Sequence, residues 1–212
     1  MLVLDGMDLV AKEDHAFFVK MQDFAKKSAD KGTLSVVFVV SDGPALPLLQ
    51  SSSAITRAGV IYEVGDISDE ESKEWLCSKY KVKDEDAAAL VDQIAGGRFP
   101  LLTMCGIFNK SVDAISSVLD TKARVALRRA GVPSSAPLFG SLLSVSSIVE
   151  DDAHELLPED KVQELLRLNI LSAHPDHTYT FHNRHVVRFM ERAAAEACAG
   201  PHAGHAAALP QR

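Results

Sequence analysis

The stretch Leu2-Val3-Leu4-Asp5-Gly6-Met7-Asp8 places two carboxylates three residues apart at the end of a short apolar run. An acid at the tip of a buried strand can hold a magnesium ion through the ion's water shell, which makes Asp5 the candidate metal-binding and catalytic acid. Asp8 is then the nearest candidate base toward a water molecule. The bland alternative is that Asp-Gly is simply a favourable turn. Ser41 ends a second apolar run, where a hydroxyl can orient an attacking water or sense a terminal phosphate; it can equally be a loop-start serine satisfied by backbone. Arg57 stands just before a glycine and a third apolar run. A guanidinium there can reach a neighbouring subunit's phosphate and stabilise charge that develops in transfer, or be merely solvated. Gly97 and Pro100 belong to Gly96-Gly97-Arg98-Phe99-Pro100, either a tight corner whose backbone an adenine can approach or a plain helix stop.

Periodicity predicts the elements that carry these residues. Leu2–Leu4 reads as a strand, and Lys12 to Lys31 as an amphipathic helix with Phe17, Phe18, Met21, Phe24 and Ala25 on its apolar positions. The run ThrLeuSerValValPheValVal before Ser41 suits a strand covered on both faces, and residues 60–68 read as a third strand. Strand, helix and strand in alternation imply right-handed parallel crossovers and an α/β layer of about three strands. Helices follow. Ser68 with Glu71 forms a capping box that opens a helix reaching Tyr80, and Asp84 to Ala95 is another, stopped by Gly96 and Gly97. From Leu101 to Gly131 the pattern stays helical, with a basic end at Lys122, Arg124, Arg128 and Arg129 that suits the helix dipole or an acidic partner. The divisions expected are an α/β core over 1–66, a helical region over 67–132, a compact unit over 133–195 and a disordered tail over 196–212. In the third of these, a helix, a second helix with Pro158 in its first turn, two short strands around Pro175-Asp176 and a closing helix from Arg184 make the arrangement of a winged helix.

The chain has 212 residues, 47% hydrophobic, with a formal charge of -7, which argues against a generally basic nucleic-acid binder. Glu159, Asp160 and Glu164 against Lys161 and Arg167 make the candidate recognition helix a poor phosphate surface, so a protein contact is the better expectation. Cys77, Cys105 and Cys198 show no Cys-x-x-Cys pairing and fit a reducing compartment. No signal peptide and no apolar run of membrane-spanning length is evident, so the expected location is cytoplasm or nucleus. His174, His177, His182 and His185 form two His-x-x-His pairs. Cysteine is absent beside them and the turn sends the first pair apart, so they read as surface histidines of a wing rather than a zinc site.

Taken in order, the runs beginning at Leu2, Leu34, Ser51, Tyr62, Ala95 and Asn169 resemble the ATPase and winged-helix portion of STAND-type, AAA-related P-loop NTPases of fungi and oomycetes, including crinkler-type effectors. The resemblance covers about residues 1–192. It implies a partial P-loop NTPase-like parallel sheet with a helical lid and a winged-helix-like domain. It also implies Asp5 as the Walker B acid, Ser41 as sensor, Arg57 as phosphate-sensing arginine, and Gly97 and Pro100 in the nucleotide lid, with ATP and magnesium as the family's cofactors. The sequence departs from the family where triphosphate is gripped. A phosphate loop, G-x-x-x-x-G-K-[ST], needs glycines, a lysine and a hydroxyl together. The only Lys-Ser or Lys-Thr steps are Lys27-Ser28, with no glycine before it, and Lys110-Ser111, with only Gly106 nearby. By the resemblance, the strand that carries this loop would lie between the second and third strands of this chain, so two strand edges would face a gap. The expectation is a truncated or degenerate ATPase-module fragment with an interaction or regulatory role, no independent turnover and no tightly bound nucleotide. Its partner would be another protein or the missing ATPase half. The alternatives are a piece of an active ATP-binding protein whose phosphate loop is encoded upstream and, more weakly, a winged-helix nucleic-acid binder.

Overall fold

A computed structural model describes residues 1–40, 49, 61–108 and 111–199. They fall into two compact units, each assembled from two stretches of chain: Met1–Ile67 with Ser147–His182, and Ser68–Ser146 with Asn183–Arg212.

The first unit opens with β1 (Leu2–Leu4), α1 (Met7–Glu13), α2 (His15–Asp30) and β2 (Val36–Phe38). The strands pair in parallel, Leu2 opposite Val36, Val3 opposite Val37 and Leu4 opposite Phe38. The expected single helix is two, because Asp14 leaves helical geometry and its carboxylate accepts the Phe17 N–H at 2.9 Å, capping α2. Strand alternation turns Leu4, Phe38 and Val40 toward a core of Met7, Ala11 and Phe18, joined by Val10 and Met21. Phe18 is wholly buried there, a position where truncation to alanine costs about 3–5 kcal/mol. Val3, Val37 and Val39 look the other way and are exposed.

The third strand does not form over its described part. Residues 61–67 are irregular, Val60 lies outside the described residues, and the parallel sheet among the described residues has two strands, not three. A strand holds its geometry through a ladder to a neighbour. Among the described residues Tyr62 and Val64, 83% and 95% exposed, meet neither a ladder nor a core.

The second unit then begins with α3 (Asp69–Tyr80), whose capping box is present as expected: Ser68 Oγ accepts the Glu71 N–H and the Glu71 carboxylate accepts the Ser68 N–H. Hydrogen bonding to its carboxylate from the Ser68 backbone N–H, and secondarily from the Ser68 hydroxyl, holds the Glu71 carboxyl below its ordinary pKa. α4 (Asp84–Leu90) runs directly into a π-helical turn, Val91–Ala95, which ends at Gly96 with φ +52°. α5 (Phe99–Phe108), α6 (Val112–Ala130) and α7 (Pro137–Val145) complete this stretch. Ser111 caps α6 by accepting the Ala114 N–H, and Gly131, with φ +65°, closes it.

The chain returns to the first unit with β3 (Ile148–Val149), α8 (Glu150–Leu156), α9 (Glu159–Arg167), β4 (Leu171–Ala173) and β5 (Thr178–Phe181). Pro158 sits at the cap of α9 rather than within its first turn. The three strands form an antiparallel sheet in the order β3-β5-β4. His177, in the left-handed conformation with φ +59°, reverses the β4–β5 hairpin. Val162, Leu165 and Leu166 of α9 are buried, as are Leu171, Tyr179 and Phe181 of the strands. The last helix, α10 (Arg184–Ala199), belongs to the second unit and packs on the π-turn, α6 and α7.

One glycine of the second unit is fixed by close approach. A Cβ on Gly106 would lie 2.3 Å from ring carbons of Tyr80, so the ring rests flat on α5 at this point. Trp75 meets Tyr80 and Phe99 edge-on, with ring centroids 5.0 and 5.5 Å apart. Gly106→Ala is therefore expected to lower stability by about 1–3 kcal/mol in urea unfolding, because the extra methyl must displace the ring. Tyr80→Ala introduced into the same variant should recover the steric part of that loss.

Candidate functional site

The carboxyl end of a parallel strand pair is where α/β sheets bind ligands, and here it is built by an Asp-Gly step. Val39 N–H donates to the Leu4 carbonyl at 2.8 Å and Met7 N–H to the Val39 carbonyl at 3.2 Å, so the ends of both strands close around residues 5 and 6. Gly6 takes φ +69°, a conformation open to glycine, and swings the chain from β1 into α1 within one residue. Its N–H donates to Asp5 Oδ1 at 2.8 Å. Asp5 is exposed at the strand tip. Asp8, only 6% exposed, lies in the first turn of α1, where a carboxylate suits the helix dipole. The two candidate acids are thus neighbours across one turn, one facing solvent and one buried.

Ser41 and Arg57 lie outside the described residues. Gly97 and Pro100 belong to the second unit, at the corner between the π-turn and α5. At that corner the positive-φ residue is Gly96, and the Arg184 side chain packs beside it, 3.4–3.7 Å from where a Cβ would stand. Arg184 donates to both carboxylate oxygens of Asp69, at 2.9 and 3.1 Å, and to the Val91 carbonyl at 3.4 Å. This fork ties the start of α10 to the start of α3 and to the π-turn. Sequence reasoning missed it, since nothing in the spacing of Asp69 and Arg184 announces a contact across 115 positions.

The four histidines take separate partners. His174 is held by Glu63 at 2.6 Å and Thr180 at 2.8 Å, and His182 by Ser172 at 2.9 Å. His177 lies 3.2 Å from Glu150, which also accepts the Tyr179 hydroxyl at 3.0 Å, with His154 beyond it at 3.8 Å. His185 is in the second unit on α10, 3% exposed, with Nε2 3.0 Å from Asp120 but out of hydrogen-bond alignment. Burial pushes its pKa below the ordinary range, the Asp120 carboxylate opposing and Arg192 assisting. Asp120 is itself engaged by Arg192 at 2.7 Å. Among the described residues no group of three or more His, Cys, Asp or Glu is placed to hold a metal. Cys105 is buried and its thiol is pushed up to about 11, which makes it inert rather than nucleophilic.

Two open grooves of about 350 and 390 Å³ flank Asp120, Arg124 and Arg192 in the second unit. Each sets both arginines against carboxylates, Asp120 and Glu196 in one, Asp113 and Asp120 in the other, so neither is an anion cradle. Among the described residues, the strand pair thus presents Asp5 as an exposed carboxylate at its tip.

No family model matches the sequence, and no curated protein matches it. Among solved structures the chain is similar to the Walker-type ATPase PABY2304 of Pyrococcus abyssi, at 14% identity and a TM-score of 0.53, over 89% of this chain and 62% of that one. The likeness is one of fold, and the chain spans less than two thirds of the length of that ATPase.

Burial alone would raise the Glu150 carboxyl, but the hydrogen bonds from His177 and Tyr179 and the nearby His154 outweigh it and hold the group below its ordinary 4.5. A carboxylate depressed in the folded state contributes stability that is present above about pH 4.5 and lost as pH falls through the lower folded value. Denaturant midpoints recorded across that acidic window should therefore fall more steeply for the native protein than for Glu150→Gln. Equal slopes would mean that the network carries no such linkage.

Proposed function

We propose that this chain is a non-hydrolysing, regulatory portion of a STAND-type, AAA-related ATPase module, working through a protein partner. The observation that carries the reading is an acid-tipped parallel strand pair within a fold like that of a Walker-type ATPase, in 212 residues that hold no phosphate loop. Asp5 is retained where such a module places its magnesium-holding acid. The groups that grip the triphosphate itself are not among these residues, so any phosphate loop would have to come from outside them.

Within the first unit, the order β3, α8, α9, β4, β5 and the sheet order β3-β5-β4 support reading that part of residues 133–195 as winged-helix-like. Its charge favours protein over nucleic acid. On α9, Arg167 donates to Glu164 at 2.6 Å and Lys161 lies 3.9 Å from Asp160, so both cations of the helix are answered by acids of the same helix. Neither is left to release counterions from a phosphate backbone. No helix among the described residues is long and apolar enough to cross a membrane.

Thermal melting with about 1 mM ATP and excess magnesium tests the reading. A ligand present far above its Kd stabilises a fold by several kcal/mol, so the expected outcome is an unmoved Tm together with no phosphate release. A magnesium-dependent rise in Tm that disappears in Asp5→Asn would overturn it.

A further inference from the structure

In the second unit, α6 buries one face and shows another to solvent. Ile115, Leu119, Ala123 and Leu127 are buried. Ala114, Val118, Thr121 and Val125 are exposed, Val118 at 53% and Val125 at 41%. These four stand four, three and four residues apart, the spacing of a helical seam, with the valines at a and Ala114 and Thr121 at d of a heptad. Lys122 and Arg129 then fall at e and Arg124 at g, so exposed cations run along both sides of the stripe, with Arg128 at its end.

None of these four cations meets a carboxylate among the described residues. Arg124 shares its grooves with Asp120, but Asp120 is taken up by Arg192 at 2.7 Å. Other cations of the same unit are answered: Lys73 by Asp84, Arg184 by Asp69 and Arg188 by Asp92 and Glu191. The helix dipole accounts for Arg128 and Arg129 in the last turn, but its effect falls off within that turn and does not reach Lys122 or Arg124. Arg124 and Arg128 also set like charges four residues apart, which opposes the helix. In a chain of formal charge -7 the concentration of unanswered cations on one helix face calls for an acidic occupant.

The chain's own remaining residues do not supply it, because those outside the described set hold a single acid, Asp42. A second copy of α6 would bring these cations against one another in either direction. A phosphate backbone would answer the charge and leave the valines bare. A helix with an apolar stripe between rows of Asp and Glu matches the seam and both of its sides.

We propose that the outer face of α6 is the docking surface for an acidic amphipathic helix from outside these 212 residues, its apolar stripe lying along Val118 and Val125 and its carboxylates meeting Lys122 and Arg129 on one side and Arg124 on the other. The inference rests on the functional reading above for the need of a protein partner and states that partner's chemistry.

The test measures, by fluorescence anisotropy, binding of the full chain to a designed helical peptide of about three heptads with valine at a, leucine at d and glutamate at e and g. The same peptide with lysine at e and g, and a DNA duplex, serve as comparison probes. The expected result is binding of the acidic peptide alone, weakened about tenfold or more by Lys122→Glu with Arg124→Glu and also by Val118→Ser with Val125→Ser. The lysine peptide should bind the chain carrying Lys122→Glu, Arg124→Glu and Arg129→Glu, a gain that a misfolded variant could not give. The photo-crosslinking residue p-benzoylphenylalanine at position 121, in the source organism, should join a segment with Asp or Glu on both sides of an apolar stripe. No binding of the acidic peptide, binding indifferent to the valine changes, tighter binding of DNA, or a crosslink to a second copy or to a segment without such acids overturns the proposal. The nucleotide assay fails separately: a magnesium-dependent rise in Tm with ATP would sink the functional reading and leave the peptide result standing.

Discussion

A parallel strand pair cannot sustain itself. Its ladder is joined only through a crossover, and its two faces are both apolar, so each needs a layer against it. Among the described residues α1 and α2 supply one such layer, bringing Met7, Ala11 and Phe18 under Leu4, Phe38 and Val40. That packing fixes the register of β1 against β2, and the register fixes where the chain ends its strands and turns. Asp5 is displayed because Gly6 follows it in the left-handed conformation, with the backbone of Val39 holding the turn from the other side.

The second unit is organised by a different device. Its helices meet around a π-turn that ends at Gly96, against which the Arg184 side chain packs. One cation thereby answers Asp69, a backbone carbonyl and a glycine corner. The arrangement converts a sequence that looks like a helix stop into a joint between distant elements. A similar economy appears around Glu150, where a single carboxylate collects Tyr179, His177 and His154. In both networks the charge is met at least in part by groups from other elements, Asp69 and the Val91 carbonyl for Arg184, Tyr179 and His177 for Glu150.

Much of the local structure was legible in the sequence because its causes are local. Ser68 and Glu71 satisfy each other's backbone within one turn, Gly131 closes its helix through its own φ, and the apolar spacing of α6, α9 and α10 is a property of adjacent turns. The Asp14 cap that divides the first helical stretch was equally local, an acid three residues before an N–H that it could accept, and was passed over for the stronger apolar period. The third strand was misread for the opposite reason. Its residue types suit a strand, but a strand exists only where a neighbour offers a ladder, and no residue type in 61–67 says whether one is there.

Sequence alone thus determined most of the helical segments, though not the break at Asp14, the strand at Ile148–Val149 or α8, and it determined where an acid ends an apolar strand and that no lysine stands in a glycine loop to take a triphosphate; each follows from residues within a few positions of one another. Only the tertiary structure decided that Arg184 meets Asp69, that His174 meets Glu63, that Asp8 is buried while Asp5 is not, and that three valines face outward. Those outcomes depend on which faces are brought together across tens of residues. The free energy of that choice is spread over the whole packed interior and is written at no single position.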